Sequence, residues 1–139
     1  MNPDNQTLFN ILSAARTIAM VGASSDPARP SHGVMKMLLG AGYHVIPVNP
    51  NESAVLGQKA YPSLRDIPEP VDIVDVFRRA DATPPIAEDA VAIGAKTLWL
   101  QLGVVNDQAA ATAQAGGLNV VMDRCIAVEH RLLGVPAIR

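Results

Sequence analysis

Apolar runs of strand length alternate along this chain with stretches whose apolar residues recur at helical spacing. Runs without polar interruption are typical of strands buried on both faces of a parallel sheet. The pattern predicts strands at residues 18–21, 43–48, 71–77, 97–102 and 119–122, and helices at residues 4–15, 31–41, 83–93, 107–115 and 126–133. This alternation indicates an α/β fold with right-handed connections. No linker interrupts it, so we expect a single domain over residues 1–139.

Polar residues just before the apolar stripes predict where the helices begin. A Ser, Thr, Asp or Asn side chain can accept a hydrogen bond from an N–H group of the first helical turn. Proline suits the first helical position, because its ring fixes φ and it has no N–H group to satisfy. The predicted N-caps are Asp4 or Asn5, Ser31, Thr83 followed by Pro84, Asn106 or Asp107, and Ser63 for one further helical turn.

The third predicted strand contains two acidic residues. Asp72 and Asp75 lie among the apolar residues Ile73, Val74 and Val76. Because an ionised carboxylate is costly to remove from water, such residues are rarely found inside a sheet. We therefore expect one end or one face of this strand to be less buried than the others.

The composition is that of an ordinary folded protein and narrows the possible functions. Hydrophobic residues make up 49% and charged residues 17% of the 139 residues, and the net charge is −2. This balance argues against broad binding to nucleic acids or membrane surfaces, which favour a basic protein. No apolar run approaches the roughly 20 residues of a membrane span, and no signal peptide is evident. With a single cysteine, Cys125, an intrachain disulfide is excluded, and we expect a cytoplasmic protein.

Residues 17–33 predict a strand, a tight turn at Gly22 and then a helix that begins near Pro30 and Ser31. This unit directs helix N-terminal N–H groups at an anion, usually a phosphate. Two departures count against NAD: the next glycine after Gly22 is Gly33, so the G-x-G-x-x-G spacing is absent, and no acidic residue ends the second strand. The sequence also lacks a P-loop motif.

Glycine, amide and arginine side chains follow the predicted strands. In an open parallel sheet, ligands bind outside the carboxyl ends of the strands, where the strand order switches. Arg29, Arg78 and Arg79 could each bind a phosphate group through two parallel hydrogen bonds. A cofactor with several phosphates on and around its ribose therefore fits this edge better than NAD does.

Six short motifs occur in the order in which they are found in a known family. They are Gly22-Ala-Ser with Arg29-Pro30-Ser31, Val48-Asn49-Pro50, Val76-Phe77-Arg78, Trp99-Leu-Gln101-Leu-Gly103, Asp123-Arg124-Cys125 and Glu129-His130-Arg131. Over residues 7–134 the chain resembles the small stand-alone bacterial CoA-binding proteins. These are similar to the CoA-binding domain of the succinyl-CoA synthetase alpha subunit but lack its catalytic phosphohistidine domain. The resemblance implies a three-layer, Rossmann-like fold with a mostly parallel five-stranded sheet, which holds coenzyme A or an acyl-CoA across the strand ends.

The resemblance also implies roles for individual positions. The backbone near Gly22 and the helix start would meet the pyrophosphate, while Arg29 would balance phosphate charge. The second and third strand ends would border adenine and ribose, and Gln101 and Gly103 would flank the opposite side of the cleft. The candidate cofactor-binding residues are Gly22, Ala23, Ser24, Arg29, Pro30, Ser31, Val48, Asn49, Pro50, Val76, Phe77, Arg78, Gln101 and Gly103.

Other polar residues have simpler interpretations. Arg79 is expected to be a solvated charge, Trp99 to belong to the core, and Glu129 and His130 to make structural hydrogen bonds. The three histidines show no metal-ligand spacing with one another or with Cys125, so no metal site is predicted. Cys125 itself has two interpretations, an inert packed thiol or a reactive one that forms a mixed disulfide with CoA.

The sequence favours a binding protein over a self-sufficient enzyme. It contains no Ser-His-Asp order, no paired acid and base with an evident site, and no phosphohistidine loop. We therefore predict a non-catalytic CoA or acyl-CoA binding protein, a monomer or dimer that could also bind an unidentified protein partner. The alternatives are an NAD(P)-binding oxidoreductase, a subunit of an acyl-CoA ligase, and a scaffold whose cleft is vestigial.

Overall fold

The computed structural model describes residues 2–138 and contains one large sheet flanked by helices. The strands are β1 (Thr17–Val21), β2 (His44–Val48), β3 (Ala54–Val55), β4 (Gln58–Lys59), β5 (Ile73–Val76), β6 (Thr97–Leu100) and β7 (Asn119–Val121). The helices are α1 (Asn5–Ala14), α2 (Pro30–Gly40), α3 (Thr83–Ala92), α4 (Asp107–Ala115) and α5 (Ile126–Leu132). Two short 3₁₀ turns, Leu64–Asp66 and Ala80–Ala82, precede β5 and α3. None of the helices in the described part of the chain is long and apolar enough to cross a membrane.

The large sheet has the strand order β2-β1-β5-β6-β7, and every neighbouring pair is parallel. From β1 the chain crosses to β2 at one edge and later returns to β5 on the other side of β1. The strand order therefore switches between β1 and β5, which is where an open parallel sheet leaves a crevice at its carboxyl edge. This architecture confirms the predicted Rossmann-like α/β fold.

Each face of the sheet packs against its own layer of helices. Ile18 and Met20 of β1 point to one face, whose core also holds Trp99 and apolar residues of α1, α2 and α5. Ala19 and Val21 point to the opposite face, whose core is shared with α3 and α4. The strands read as continuous apolar runs because both of their faces are buried. Trp99 is fully buried, as predicted.

Two of the five predicted helix caps are confirmed, whereas Ser63 precedes its 3₁₀ turn without a side-chain cap hydrogen bond. Asp4 accepts a hydrogen bond from the Thr7 N–H group at 2.8 Å, and Asn106 accepts one from Ala109 at 2.8 Å. The prediction for Ser31 is wrong, because α2 begins at Pro30 and its N-cap is Arg29, which makes no side-chain cap. Proline defines this start through its fixed φ, so Ser31 lies inside the first turn and is buried.

The cap predicted at Thr83 is also wrong. This residue is the first of α3 and the cap position is Ala82. The preceding 3₁₀ turn carries the chain directly into the helix, so the Thr83 hydroxyl donates backwards to the Ala80 carbonyl at 2.7 Å.

The prediction that one end or one face of the third strand is less buried is confirmed at the end that carries Asp72. β5 is shorter than predicted, so Asp72 lies before it at a partly exposed position. There it accepts hydrogen bonds from the N–H groups of Arg16 and Thr17 at 2.9 and 3.0 Å. Asp75, in contrast, is fully buried in the central strand, and neither of its oxygens has a partner among residues 2–138. Burial raises the pKa of the Asp75 carboxyl well above its ordinary value.

Candidate functional site

A cleft of about 760 Å³ lies at the carboxyl edge of the large sheet. It is lined by residues of the loops that follow the five strands of that sheet. It is centred on the switch between β1 and β5, as the strand order requires. Most of the candidate residues line it: Gly22, Ser24, Arg29, Pro30, Ser31, Asn49, Phe77, Arg78 and Gln101. The structure thus brings together residues that are up to about eighty positions apart in the chain.

The remaining candidates lie elsewhere. Ala23 and Val76 are fully buried behind the cleft surface. Val48 and Pro50 line a second hollow of about 200 Å³ on the α3 side, which shares Arg78 with the main cleft. Gly103 does not line the cleft, and its N–H group donates to an Asp123 carboxylate oxygen at 2.7 Å.

Gly22 makes the turn out of β1 possible. Its φ is +87°, and a Cβ atom added there would overlap the carbonyl oxygen of Phe77. Its N–H group donates to the Val48 carbonyl at 2.9 Å, so it is already engaged. The N–H groups of Ala23 and Ser24 make no hydrogen bond among residues 2–138. Because Ala23 is fully buried, the N–H group of Ser24, which lines the cleft, is the one left for a bound anion.

Asn49 and Glu52 hold this turn in place from the β2 side. The Asn49 amide donates to the Ala23 carbonyl at 2.8 Å, and its oxygen accepts from the Asn51 N–H group at 2.9 Å. Glu52 accepts hydrogen bonds from the Ser25 N–H and hydroxyl groups at 2.6 and 3.0 Å, and these bonds lower the pKa of the Glu52 carboxyl. Asn49 therefore positions the turn, a role that depends on its distant partner and that its sequence position does not reveal.

Positive charge lies at the mouth of the cleft on the loops after β1 and β5. Arg29 and Arg78 are exposed, and their side chains make no ion pair or hydrogen bond within the described residues. Arg79 also lines the mouth, although sequence reasoning treated it as a solvated charge, and it lies 3.4 Å from an Asp81 oxygen with both side chains exposed. Unpaired guanidinium groups of this kind can bind phosphate oxygens through two hydrogen bonds each.

Gln101 joins the cleft to the last helix. It is only 5% exposed, and its side-chain oxygen accepts a hydrogen bond from the Ile126 N–H group at 3.1 Å, at the start of α5. The amide nitrogen remains for a ligand. Gln101 is therefore a residue that positions α5 as well as part of the cleft wall.

Replacing Gln101 by leucine is expected to lower the free energy of unfolding by about 1–3 kcal/mol, because the buried N–H group of Ile126 would lose its acceptor. Urea unfolding measures the change. Gln114→Leu, at an exposed position of α4, serves as the control and should leave the midpoint nearly unchanged. Equal midpoints for wild type and Gln101→Leu would mean that this hydrogen bond contributes nothing to stability.

Sequence reasoning did not assign Val34, Leu102 and Val104 to the site, yet all three line the cleft. Val34 lies on α2, in the second turn after Pro30. Leu102 was placed in the fourth strand, but β6 ends at Leu100, so that Leu102 stands outside the sheet. An apolar residue between Gln101 and Gly103 is the signal that could have identified it.

Cys125 also lines the cleft, at the position before α5, and is half-buried and free. Both of its interpretations therefore stay open. The structural hydrogen bond predicted for Glu129 is confirmed, since it accepts from Arg124 at 3.1 Å. The prediction is wrong for the buried Nε2 atom of His130, which has no partner within residues 2–138, while the ring packs edge-on against Tyr43.

Comparisons with known proteins agree over most of the chain. A family model described as a CoA binding domain matches residues 16–131. The uncharacterized protein YneT of Bacillus subtilis (strain 168) is 43% identical over 129 residues, which cover 93% of this chain and 96% of YneT. The ADP-forming acetate–CoA ligase II of Archaeoglobus fulgidus is 31% identical over 96 residues, which cover 68% of this chain but only 14% of the ligase.

A solved structure of similar size supports the same relationship. A hypothetical protein from Pyrococcus horikoshii OT3 matches with a TM-score of 0.92 and 41% identity, covering 94% of this chain and 92% of that protein. The family resemblance predicted from the six motifs is thereby confirmed, and the chain belongs to the CoA binding domain family.

Proposed function

We propose that this chain is a non-catalytic binding protein for coenzyme A or an acyl-CoA, acting as a single cytoplasmic domain over residues 1–139. The observation that carries the proposal is the pair of unpaired guanidinium groups, Arg29 and Arg78, at the mouth of the cleft. They stand on either side of the β1–β5 switch, where a nucleotide would lie in an open parallel sheet.

The backbone beside these arginines supports the same ligand. The N–H group of Ser24, which lines the cleft, has no acceptor within the described residues, and α2 begins without a side-chain cap. An uncapped helix N-terminus with free N–H groups favours a phosphate, both through hydrogen bonds and through the helix dipole. CoA offers a pyrophosphate for the backbone and a separate 3′-phosphate for a guanidinium group.

The character of the cleft wall supports binding rather than chemistry. Its side chains are guanidinium, hydroxyl, amide and apolar groups together with one thiol. Such groups recognise phosphates, a ribose and an apolar arm. The proposal therefore assigns no catalytic residue to this chain.

A second candidate function is that of a binding subunit in an acyl-CoA ligase. It is favoured by the similarity to ADP-forming acetate–CoA ligases of Archaeoglobus fulgidus and Pyrococcus furiosus. The first of these alignments spans only 14% of the ligase, so a ligase reaction would need further domains or chains beyond these residues. Acyl-CoA formation from CoA, acetate and ATP by this chain alone would contradict the proposal of a non-catalytic protein.

Replacing Arg29 or Arg78 by glutamine is expected to weaken CoA binding by about 10- to 100-fold, because each change removes charge-assisted hydrogen bonds to a phosphate. Calorimetric titration with CoA, dephospho-CoA, acetyl-CoA, NAD and ATP measures this loss. Removing a guanidinium group that contacts the 3′-phosphate will weaken the binding of CoA but not that of dephospho-CoA.

Arg131→Gln is the matched control, since it removes the same charge from an exposed position on α5 outside the cleft. It should leave the affinity for CoA within about twofold of wild type, as expected for a screened surface charge. Binding of NAD but not CoA would favour the oxidoreductase alternative, and no binding of either would favour the scaffold.

A further inference from the structure

The two ends of the cleft differ in chemistry. Its arginines come from the loops after β1 and β5, whereas the loop after β6 contributes the apolar side chains of Leu102 and Val104, here called the apolar lip. Leu102 is 71% exposed and lines the cleft. Large apolar groups at a concave site commonly mark a surface that a ligand covers.

The apolar lip is held in a fixed conformation. The Val104 N–H group donates to the Gln101 carbonyl at 2.9 Å, and the Val104 carbonyl accepts from Asp123 at 3.2 Å. The Asp123 carboxylate in turn accepts from the Gly103 N–H group at 2.7 Å, and Asp123 has a φ of +59°. Leu102 is therefore exposed on a loop that these three hydrogen bonds hold in place.

The strand order shows where the lip lies relative to the charges. β6 follows β5 and precedes β7 in the sheet, and neighbouring strands are about 4.8 Å apart. The strand that leads into the lip is thus one to two strand spacings, about 5–10 Å, from the strands that precede the arginines, on the side away from β2. At that end Arg124 is 3.1 Å from Glu129 and does not line the cleft, so the wall there is mainly uncharged.

We propose that the apolar lip receives the acyl group of an acyl-CoA thioester and that Leu102 determines which chain length binds best. This inference rests on the proposed function, because the phosphates must be held at the β1 and β5 loops for the sulfur end to extend towards β6 and β7. An aliphatic chain of intermediate length would cover Leu102 and Val104 from solvent. The ligand class is then an aliphatic acyl-CoA rather than free CoA.

Calorimetric titration with CoA, acetyl-CoA, butyryl-CoA and hexanoyl-CoA tests this inference on the full chain. The wild type should bind each longer chain about two- to fourfold more tightly per added methylene group, the factor expected for partial to complete burial. In Leu102→Ser the ratio of the hexanoyl-CoA affinity to the CoA affinity should fall by about tenfold. This ratio cancels any effect of the substitution on the binding of CoA itself.

Leu132→Ser is the matched control, because Leu132 is also 71% exposed but lies on α5 outside the cleft. It should leave the ratio as in the wild type. Equal affinities of the wild type for CoA and hexanoyl-CoA would overturn the acyl inference while leaving the proposed function intact. Failure to bind any of the four compounds would overturn the proposed function as well. A similar fall in the ratio for both serine variants would also contradict a role for the lip.

Discussion

Replacing Gly22 by alanine is expected to lower the free energy of unfolding by about 3 kcal/mol or more. Part of this loss is backbone strain, because φ is +87° at this position. The rest comes from the new Cβ atom, which would overlap the Phe77 carbonyl oxygen and force β1 and β5 apart at the cleft. Urea unfolding measures the loss of stability, and titration with CoA should show weaker binding, since the turn would move.

Gly117→Ala separates these two contributions. Gly117 has the same φ of +87°, but a Cβ atom there would meet nothing within 4 Å. This control should therefore lose only the strain contribution, about 1–2 kcal/mol. If both alanine variants unfold at the same urea concentration, the close approach between Gly22 and Phe77 does not contribute to the loss of stability.

The second large effect is expected from Asp75→Asn, whose stability relative to the wild type should increase as the pH rises. Burial raises the pKa of Asp75 well above its ordinary value of 3.8, so the folded protein keeps a proton that the unfolded chain has lost. Between these two pKa values the wild type loses stability with rising pH, by up to about 1.4 kcal/mol per pH unit. Because asparagine does not titrate, the stability of the Asp75→Asn variant does not fall with rising pH for this reason.

Urea unfolding of both proteins between pH 5 and pH 8 measures the effect as a difference, which removes contributions from other groups. Asp72→Asn is the opposite control. Burial acts to raise the pKa of Asp72, but hydrogen bonds from Arg16 and Thr17 and the nearby Lys96 lower it overall. The stability that Asp72 contributes is therefore present above its unfolded pKa and lost as the pH falls, so Asp72→Asn should be destabilising at neutral pH. Parallel pH curves for wild type and Asp75→Asn would contradict the assignment of a buried, protonated Asp75.

The strands of the large sheet could be predicted, because strands that are buried on both faces appear in the sequence as uninterrupted apolar runs. β3 and β4 could not, since two residues in each are too few for a period to appear. The full burial of Asp75 could not be predicted for a different reason. Residue type indicates only the usual environment of a carboxylate, while the actual environment is set by Met20 and Trp99 on the neighbouring strands. At the start of α2, the fixed φ of Pro30 makes this proline the first helical residue, so Ser31 does not occupy the cap position.

The position of the candidate site followed from chain direction alone, because parallel strands all end at one edge. What individual residues do there did not follow from it. Asn49 and Gln101 both lie at strand ends, yet their amide groups are engaged by Ala23 and Ile126, which are distant in the chain. Such pairings depend on tertiary structure, and no local pattern in the sequence encodes them.

The hydrogen bonds that join the turn after β1 to Asn49 and Glu52 have a consequence for the association rate and the affinity of a ligand. They fix the receptive conformation before any ligand arrives, so nearly the whole population of molecules is competent to bind. The measured affinity of the protein is then not reduced, as it would be if only a small fraction of the molecules had the binding conformation. Association should follow a single kinetic phase whose observed rate rises linearly with ligand concentration, without a slow isomerisation step.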